Sequence, residues 1–238
     1  MTQNIFMDPY GKACVDYLNG ERNQFIKFSS EIAELSDLPV DYLFRKFDDM
    51  PRIEQKALEI ARGKILDARA GAGSHCLELK AQGKQVTALE ISPLLCQVMK
   101  DRGLDSVVNA DVYKYHKSGY DTILFLMNGI GICETMDGLK KLLSYLKTCL
   151  APEGQIILDS SDLIYLFLQD DGSIQLPLTE NYYGEMPFKI AYKEDVLIGK
   201  WLYIDPDNLD AVATSLGYSC EIVMTGSHYD YLACLRLL

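Results

Sequence analysis

The residues from Ile65 to His75 combine an apolar strand pattern, an aspartate and a loop built from small side chains. Asp67 ends the apolar stretch, and the loop that follows reads Arg69-Ala70-Gly71-Ala72-Gly73 before a helical pattern begins. Glycine and alanine let a backbone approach a ligand closely. The start of the next helix offers free N–H groups to polar or negative atoms. The pattern therefore predicts a ligand-binding loop in which Arg69 is the one large residue.

Two further acidic residues follow the next predicted strands. Glu90 lies 23 residues after Asp67, at the spacing where an acid can accept hydrogen bonds from both hydroxyls of a ribose. Asp111 could accept a hydrogen bond from an exocyclic amine such as that of adenine. Each has a structural alternative, since Glu90 could cap the helix that begins at Ser92-Pro93 and Asp111 could be an ordinary loop acid.

The elements that would position these residues alternate between strand and helix from Lys64 onward. The predicted strands are Ile65–Ala68, Gln85–Leu89, Asp105–Asn109, Tyr120–Met127 and Gln155–Leu158, with helices ending near Gln82 and Gly103 and others near 137–149 and 206–216. This alternation is typical of an α/β fold with a mostly parallel sheet. Ligands of such sheets bind at the carboxyl ends of the strands, where the acidic residues are expected.

The two ends of the chain depart from this alternation. Residues 1–63 are predicted to be mostly helical and to form an N-terminal cap, and 64–238 to form the main domain. A β insertion rich in aromatic residues is expected at about 172–204. Two strands at Ser219–Met224 and Tyr229–Leu237, joined by a turn, predict a C-terminal antiparallel hairpin.

The spacing of Asp67, Gly71, Gly73, Glu90 and Asp111 resembles that of the class I S-adenosylmethionine-dependent methyltransferases. The loop sequence, together with Leu126–Gly131, is similar to a bacterial subgroup of unassigned substrate. The resemblance implies a Rossmann-like sheet, S-adenosylmethionine as cofactor and methyl transfer to an acceptor that the sequence does not identify.

The resemblance also implies roles for individual residues. The backbone of Ala70, Gly71 and Gly73 would cradle the methionine part of the cofactor, and Asp67 would help to place it. Glu90 would hold the ribose and Ile91 the adenine face. The remaining contacts would come from Asp111 and Val112 at the adenine edge and from Asn128 near the sulfonium.

Arg69 departs from the family, which has a glycine at that position. The guanidinium could occlude the pocket, bind the cofactor carboxylate or point away and pair with an acid. The first possibility keeps open an alternative function, a degenerate binding protein of this fold with weakened or lost cofactor binding. A nicotinamide oxidoreductase is disfavoured, because Cys76 occupies the position of the third glycine in that pattern.

The acceptor side of the site has weaker candidates. His228 could act as a base, since histidine titrates near neutral pH, and Tyr183 is a polar aromatic residue expected near the mouth of the site. The structural alternatives are a packed or exposed turn histidine and an aromatic residue of the core or of a lid. The sequence predicts no metal site.

Composition limits the class of partner and the compartment. The chain has 238 residues and a net charge of −11, which repels nucleic-acid backbones. A small metabolite and a basic protein both fit this charge, and a small-molecule substrate is expected. Neither a signal peptide nor a membrane-spanning segment is expected. The seven cysteines include no C-x-x-C pair, which predicts reduced thiols in a cytoplasmic protein. The oligomeric state is left open.

Overall fold

The computed structural model describes residues 7–30, 37–176 and 181–238. Within these ranges the helices are α1 (Pro9–Leu18), α2 (Arg52–Ile60), α3 (Ser74–Ala81), α4 (Pro93–Asp101), α5 (Met136–Leu146) and α6 (Pro206–Ser215). The strands are β1 (Phe25–Ser29), β2 (Leu38–Pro39), β3 (Lys64–Asp67), β4 (Gln85–Glu90), β5 (Val107–Asn109), β6 (Tyr120–Phe125), β7 (Leu150–Ser161), β8 (Glu185–Tyr192), β9 (Asp195–Leu202), β10 (Tyr218–Thr225) and β11 (Asp230–Leu237).

Seven strands form the larger sheet, in the order β10-β11-β7-β6-β3-β4-β5. The pairs from β7 to β5 are parallel, whereas β11 is antiparallel to both β7 and β10. The prediction of a mostly parallel sheet that ends in an antiparallel hairpin is therefore confirmed. The strand order reverses between β3 and β6, so a crevice is expected at their carboxyl ends.

Helices cover both faces of this sheet. In β6, Ile123 and Phe125 face one apolar cluster, which includes the leucines of α5, and Leu124 faces another, which includes Leu58 of α2. Successive residues of a strand point to opposite faces. The apolar run 123–125 at the end of β6 is thus what a sheet buried on both sides requires.

A second sheet joins the N-terminal segment to the insertion. Its order is β2-β1-β8-β9, and β1 pairs with β8 through Lys27↔Ala191 and Ser29↔Lys189. The N-terminal segment, which was predicted to be mostly helical, thus also contributes the strands β1 and β2. The strands arise because Ile26 finds its apolar neighbours, including Ile190, in a segment more than 160 residues away. The division into a cap at 1–63 and a domain at 64–238 stays a prediction.

Helix α1 lies on α4 and connects the second sheet to the first. Ala13 and Cys14 of α1 share a buried cluster with Leu95 and Val98 of α4. Asp8 caps α1 by accepting a hydrogen bond from Gly11 N at 2.7 Å. Its other carboxylate oxygen accepts a hydrogen bond from the hydroxyl of Ser92, the residue that caps α4. The N-terminal helix is thus held against the edge of the predicted site.

Across the described ranges, no helix has both the length and the apolar character needed to cross a bilayer.

Candidate functional site

Asp67 lies at the carboxyl end of β3 and is almost entirely buried, with 1% of its surface exposed. Its Oδ2 accepts a hydrogen bond from the Cys76 thiol at 3.2 Å, whereas its Oδ1 has no hydrogen-bond partner among the described residues. Burial raises the pKa of this carboxyl group. A buried oxygen without a partner calls for an explanation, and a ligand in the adjacent loop would supply the missing donor.

The two glycines of the loop serve different purposes. Both have positive φ, +54° at Gly71 and +85° at Gly73. A Cβ added at Gly71 would meet no atom of the described residues within 4 Å, whereas one at Gly73 would lie 2.8 Å from side-chain atoms of Leu104 and Met99. Gly71 therefore leaves the loop open on its outer side, and Gly73 permits close packing where α3 begins.

Glu90 is attached to this loop by hydrogen bonds. Its Oε2 accepts from Gly71 N at 3.1 Å and its Oε1 from Ser92 N at 3.0 Å. Each carboxylate oxygen can accept a second hydrogen bond. The side chain, 3% exposed, is thus held in one orientation while it keeps the capacity to accept from two hydroxyl groups.

A cavity of about 240 Å³ opens beside the ends of β3, β4 and β5. It is lined by Ala68, Arg69, Ile91, Ala110, Asp111, Val112, Tyr113 and Ile132. Three residues predicted to contact adenine are thereby brought together. Ile91 is half-exposed and Val112 buried, while Asp111 Oδ1 accepts a hydrogen bond from Tyr113 N at 3.0 Å. Apolar walls with a carboxylate at the edge suit a flat ring that carries an amine.

Asn128 occupies a strained turn after β6. Its φ is +52° and that of Met127 is +56°, values that are uncommon for residues other than glycine and that cluster at functional sites. The Asn128 backbone N donates to Asp159 Oδ1 at 2.9 Å, and its Nδ2 donates to Leu202 O at 3.3 Å. Its Oδ1 is buried and has no partner in the described part of the chain.

Asp159, in β7, supplies the acid that accepts this backbone hydrogen bond. Burial raises the pKa of its carboxyl group to about 7, and the bond from Asn128 opposes that rise. The group therefore changes its protonation state near neutral pH. Asp159 directly follows the predicted strand Gln155–Leu158 but was not among the site residues predicted from the sequence.

Arg69 runs from the loop toward the insertion. Its guanidinium carbon lies 5.1 Å from the centroid of the Trp201 ring. Trp201 Nε1 donates to Asn128 O at 3.0 Å, so the indole is fixed beside the turn after β6. Arg69 contributes to the wall of the 240 Å³ cavity without closing it.

The two candidates for the acceptor side lie elsewhere. The Tyr183 hydroxyl donates to Asp162 Oδ1 at 2.7 Å, and burial together with that carboxylate raises its pKa. His228 is exposed in the loop between β10 and β11, where its backbone N donates to Asp230 Oδ1 at 2.9 Å. Neither residue lines the cavity, and their catalytic roles stay predictions.

A buried charged cluster lies beneath the site and was not predicted. Glu54 Oε2 accepts hydrogen bonds from His75 Nε2, at 2.7 Å, and from Arg45 Nη2. Burial opposes ionisation of Glu54, but His75 and Arg45 outweigh it and lower its pKa. The cluster joins the start of α3 to the N-terminal segment. No local pattern could have paired residues that lie 9 and 21 positions apart in different elements.

Solved structures share the fold of this chain, and one of them also shares much of its sequence. The chain is 39% identical to an S-adenosylmethionine-dependent methyltransferase from Bacteroides fragilis in complex with S-adenosyl-L-homocysteine, with a TM-score of 0.90 over 98% of this chain and 96% of that one. Two others share the fold at lower identity. The DhpI complex with S-adenosylhomocysteine has a TM-score of 0.61 at 17% identity, covering 96% of this chain and 93% of that one. CalS10 from Micromonospora echinaspora, an amino pentose methyltransferase, has a TM-score of 0.57 at 13% identity, covering 87% and 100%. A scan against protein-family models and a search of curated proteins found no match.

Proposed function

The chain belongs to the S-adenosylmethionine-dependent methyltransferases, and on that premise we propose that it transfers a methyl group from S-adenosylmethionine to a small-molecule acceptor. One observation carries the proposal. A protein 39% identical over nearly the whole chain is complexed with S-adenosyl-L-homocysteine, the demethylated form of that cofactor.

The residues present fit this cofactor. Asp67 Oδ1, which has no hydrogen-bond partner among the described residues, and the open side of Gly71 suit the methionine part, with Ala70 and Gly73 shaping the loop. Glu90 would accept hydrogen bonds from the ribose hydroxyls. The adenine would enter the cavity at Ile91, Asp111 and Val112, and Asn128 would border the sulfonium.

Catalysis by this chain consists mainly of positioning. S-Adenosylmethionine supplies an electrophilic methyl group when bound, and a nucleophile on the acceptor must line up with it. We assign the acceptor to the side of the site formed by Asn128, Trp201 and Asp159. Asp159 would take up a proton where the acceptor loses one, since its pKa of about 7 suits that exchange at neutral pH.

The position of Arg69 does not support the alternative function, a degenerate binding protein of this fold with weakened or lost cofactor binding. Its guanidinium lies over Trp201, while the cavity beside Ile91 and Val112 stays open. The bulk introduced at the glycine position thus forms part of the cavity wall without filling the cavity.

The charge and the thiols support the class of acceptor and the compartment. A net charge of −11 disfavours nucleic-acid acceptors. Six of the seven cysteines are buried as free thiols, an arrangement suited to the reducing environment of the cytoplasm. We accordingly propose a cytoplasmic enzyme that acts on a metabolite.

Calorimetric titration of the wild-type protein with S-adenosylhomocysteine tests the proposal, with NADH as a control ligand. The expected result is saturable binding of one S-adenosylhomocysteine per chain and no heat from NADH. A protein that binds NADH but not S-adenosylhomocysteine would overturn the proposed function.

A further inference from the structure

Arg69 carries a positive charge that the described part of the protein does not neutralise. The residue is half-buried, and its guanidinium takes part in none of the ion pairs found among residues 7–30, 37–176 and 181–238. The buried Arg45, by contrast, is paired with Glu54. Removing a charge from water is costly unless a partner compensates. An arginine in this state is therefore ready to bind an anion.

The described neighbours of the Arg69 guanidinium fix its orientation but do not supply an acid that neutralises its charge. One side is occupied by the Trp201 ring, 5.1 Å away. Tyr10 of α1 lies near enough that the charge of Arg69 opposes the effect of burial on the pKa of its phenol. Tyr203 lies near enough to Tyr10 to raise the pKa of its phenol further. Arg69 thus lies at the junction of the cofactor loop, α1 and the segment after β9.

Binding of S-adenosylmethionine would make the unpaired positive charge of Arg69 less favourable. S-Adenosylmethionine carries a positive sulfonium, which the proposed function places near Asn128. The main chain of that residue is hydrogen-bonded to Trp201, the ring over which Arg69 lies. Two like charges in one partly buried site repel each other. An anion bound to the guanidinium would relieve that repulsion.

We propose that the acceptor carries an oxyanion, a carboxylate or a phosphoryl-type group, which Arg69 binds on the Trp201 side of the site. The proposal rests on the proposed function, because it names the acceptor class of the same site. Arginine matches such groups through two parallel N–H···O bonds. The phenol of Tyr10 lies within reach of the charge on the same guanidinium.

The test uses the wild-type protein saturated with S-adenosylhomocysteine. It is titrated by calorimetry with benzoate, phenylphosphonate and, as a neutral isostere, benzamide. At least one anion is expected to bind about tenfold more tightly than benzamide, in keeping with a charge-assisted bidentate contact. Arg69→Gln is expected to abolish this preference and Arg69→Lys to retain part of it. Arg22→Gln, which removes an exposed guanidinium over Tyr17, is the matched control and should leave the preference intact.

The carboxylate of the cofactor is the competing source of the same chemistry. A contact of Arg69 with the cofactor carboxylate is distinguished from a contact with the acceptor by comparing S-adenosylhomocysteine with 5′-methylthioadenosine, which lacks the amino-acid part. Arg69→Gln is expected to change the affinities for the two nucleosides by the same factor. A loss confined to S-adenosylhomocysteine would assign Arg69 to the cofactor and overturn the acceptor proposal.

The remaining outcomes also decide between the two proposals. Equal binding of benzoate, phenylphosphonate and benzamide by a protein that binds S-adenosylhomocysteine would overturn the oxyanion proposal and leave the methyltransferase function intact. Absence of S-adenosylhomocysteine binding would contradict the proposed function itself. Thermal unfolding of each variant shows whether a lost preference for the anions over benzamide reflects a lost fold. Arg69→Lys, which keeps the positive charge, is the second variant for the same test.

Discussion

The backbone N–H of Gly71 donates a hydrogen bond of 3.1 Å to Oε2 of Glu90. The open glycine of the loop after β3 and the acid at the end of β4 therefore form one unit. The bond holds the acid where it could accept hydrogen bonds from a ribose, and it holds the loop where a ligand could approach its backbone. The two features that the sequence separates by 19 residues are thus neighbours at the edge of the proposed cofactor site.

Removal of the Glu90 carboxylate is expected to weaken S-adenosylhomocysteine binding. Glu90→Ala would lose two charge-assisted hydrogen bonds to the ribose and the restraint on Gly71, a loss of more than about tenfold in affinity. Calorimetry measures the effect. Glu221→Ala removes an exposed carboxylate paired with Arg236 and serves as the control. An unchanged affinity in Glu90→Ala would exclude the acid from the site.

The two glycines are expected to respond differently to alanine. Gly73→Ala places a methyl group 2.8 Å from atoms of Leu104 and Met99 and should lower the free energy of unfolding by about 1 to 3 kcal/mol. Gly71→Ala meets no described atom within 4 Å and carries only the backbone strain that its positive φ imposes on alanine, so its larger effect should fall on ligand affinity. Urea unfolding and calorimetry of both variants separate the effects. Equal destabilisation by the two substitutions would contradict this division.

The raised pKa of Asp159 predicts a stability that depends on pH. The folded protein retains the Asp159 proton up to about pH 7, whereas the unfolded chain releases it near the ordinary aspartate pKa of about 3.9. The unfolded state thus binds fewer protons in this window, and the free energy of unfolding falls as pH rises through it.

Asp159→Asn cannot titrate and should lose less stability than the wild type between pH 4 and pH 7. The difference should lie between about 1 and 4 kcal/mol, since a tenfold change in acidity is worth about 1.4 kcal/mol and partial exposure reduces the full effect. Unfolding measured across this window checks it, with the exposed Asp210→Asn as control. Parallel pH profiles for wild type and Asp159→Asn would show that the acid titrates normally.

The cluster beneath the site should be costly to break. Glu54→Gln leaves the buried Arg45 without its carboxylate partner, and such a change typically costs about 3 to 5 kcal/mol. Chemical unfolding provides the measurement. Glu59→Gln removes an exposed acid paired with Lys56 and should have little effect. A loss as small as that of the control would mean that Arg45 finds another partner.

The order of strands and helices and the acidic residues at the strand exits were predictable because both depend on local patterns. Alternation of apolar runs indicated the parallel sheet, and the ends of two adjacent strands placed Asp67 and Glu90 on the same edge. The two glycines, Gly71 and Gly73, predicted a loop that a ligand could approach closely. What the patterns missed involves partners from distant segments, as with β1 beside β8, or Glu54 beside His75.

By itself, the order of residues along this chain determined the parallel sheet, the antiparallel hairpin and the likeness to methyltransferases, because each depends on the spacing of residues within a few dozen positions. The tertiary structure alone decided the direction of Arg69. A flexible side chain with several possible partners takes its orientation from whatever packs around it. Here that neighbour is Trp201, which β9 brings to the site from 132 residues further along the chain.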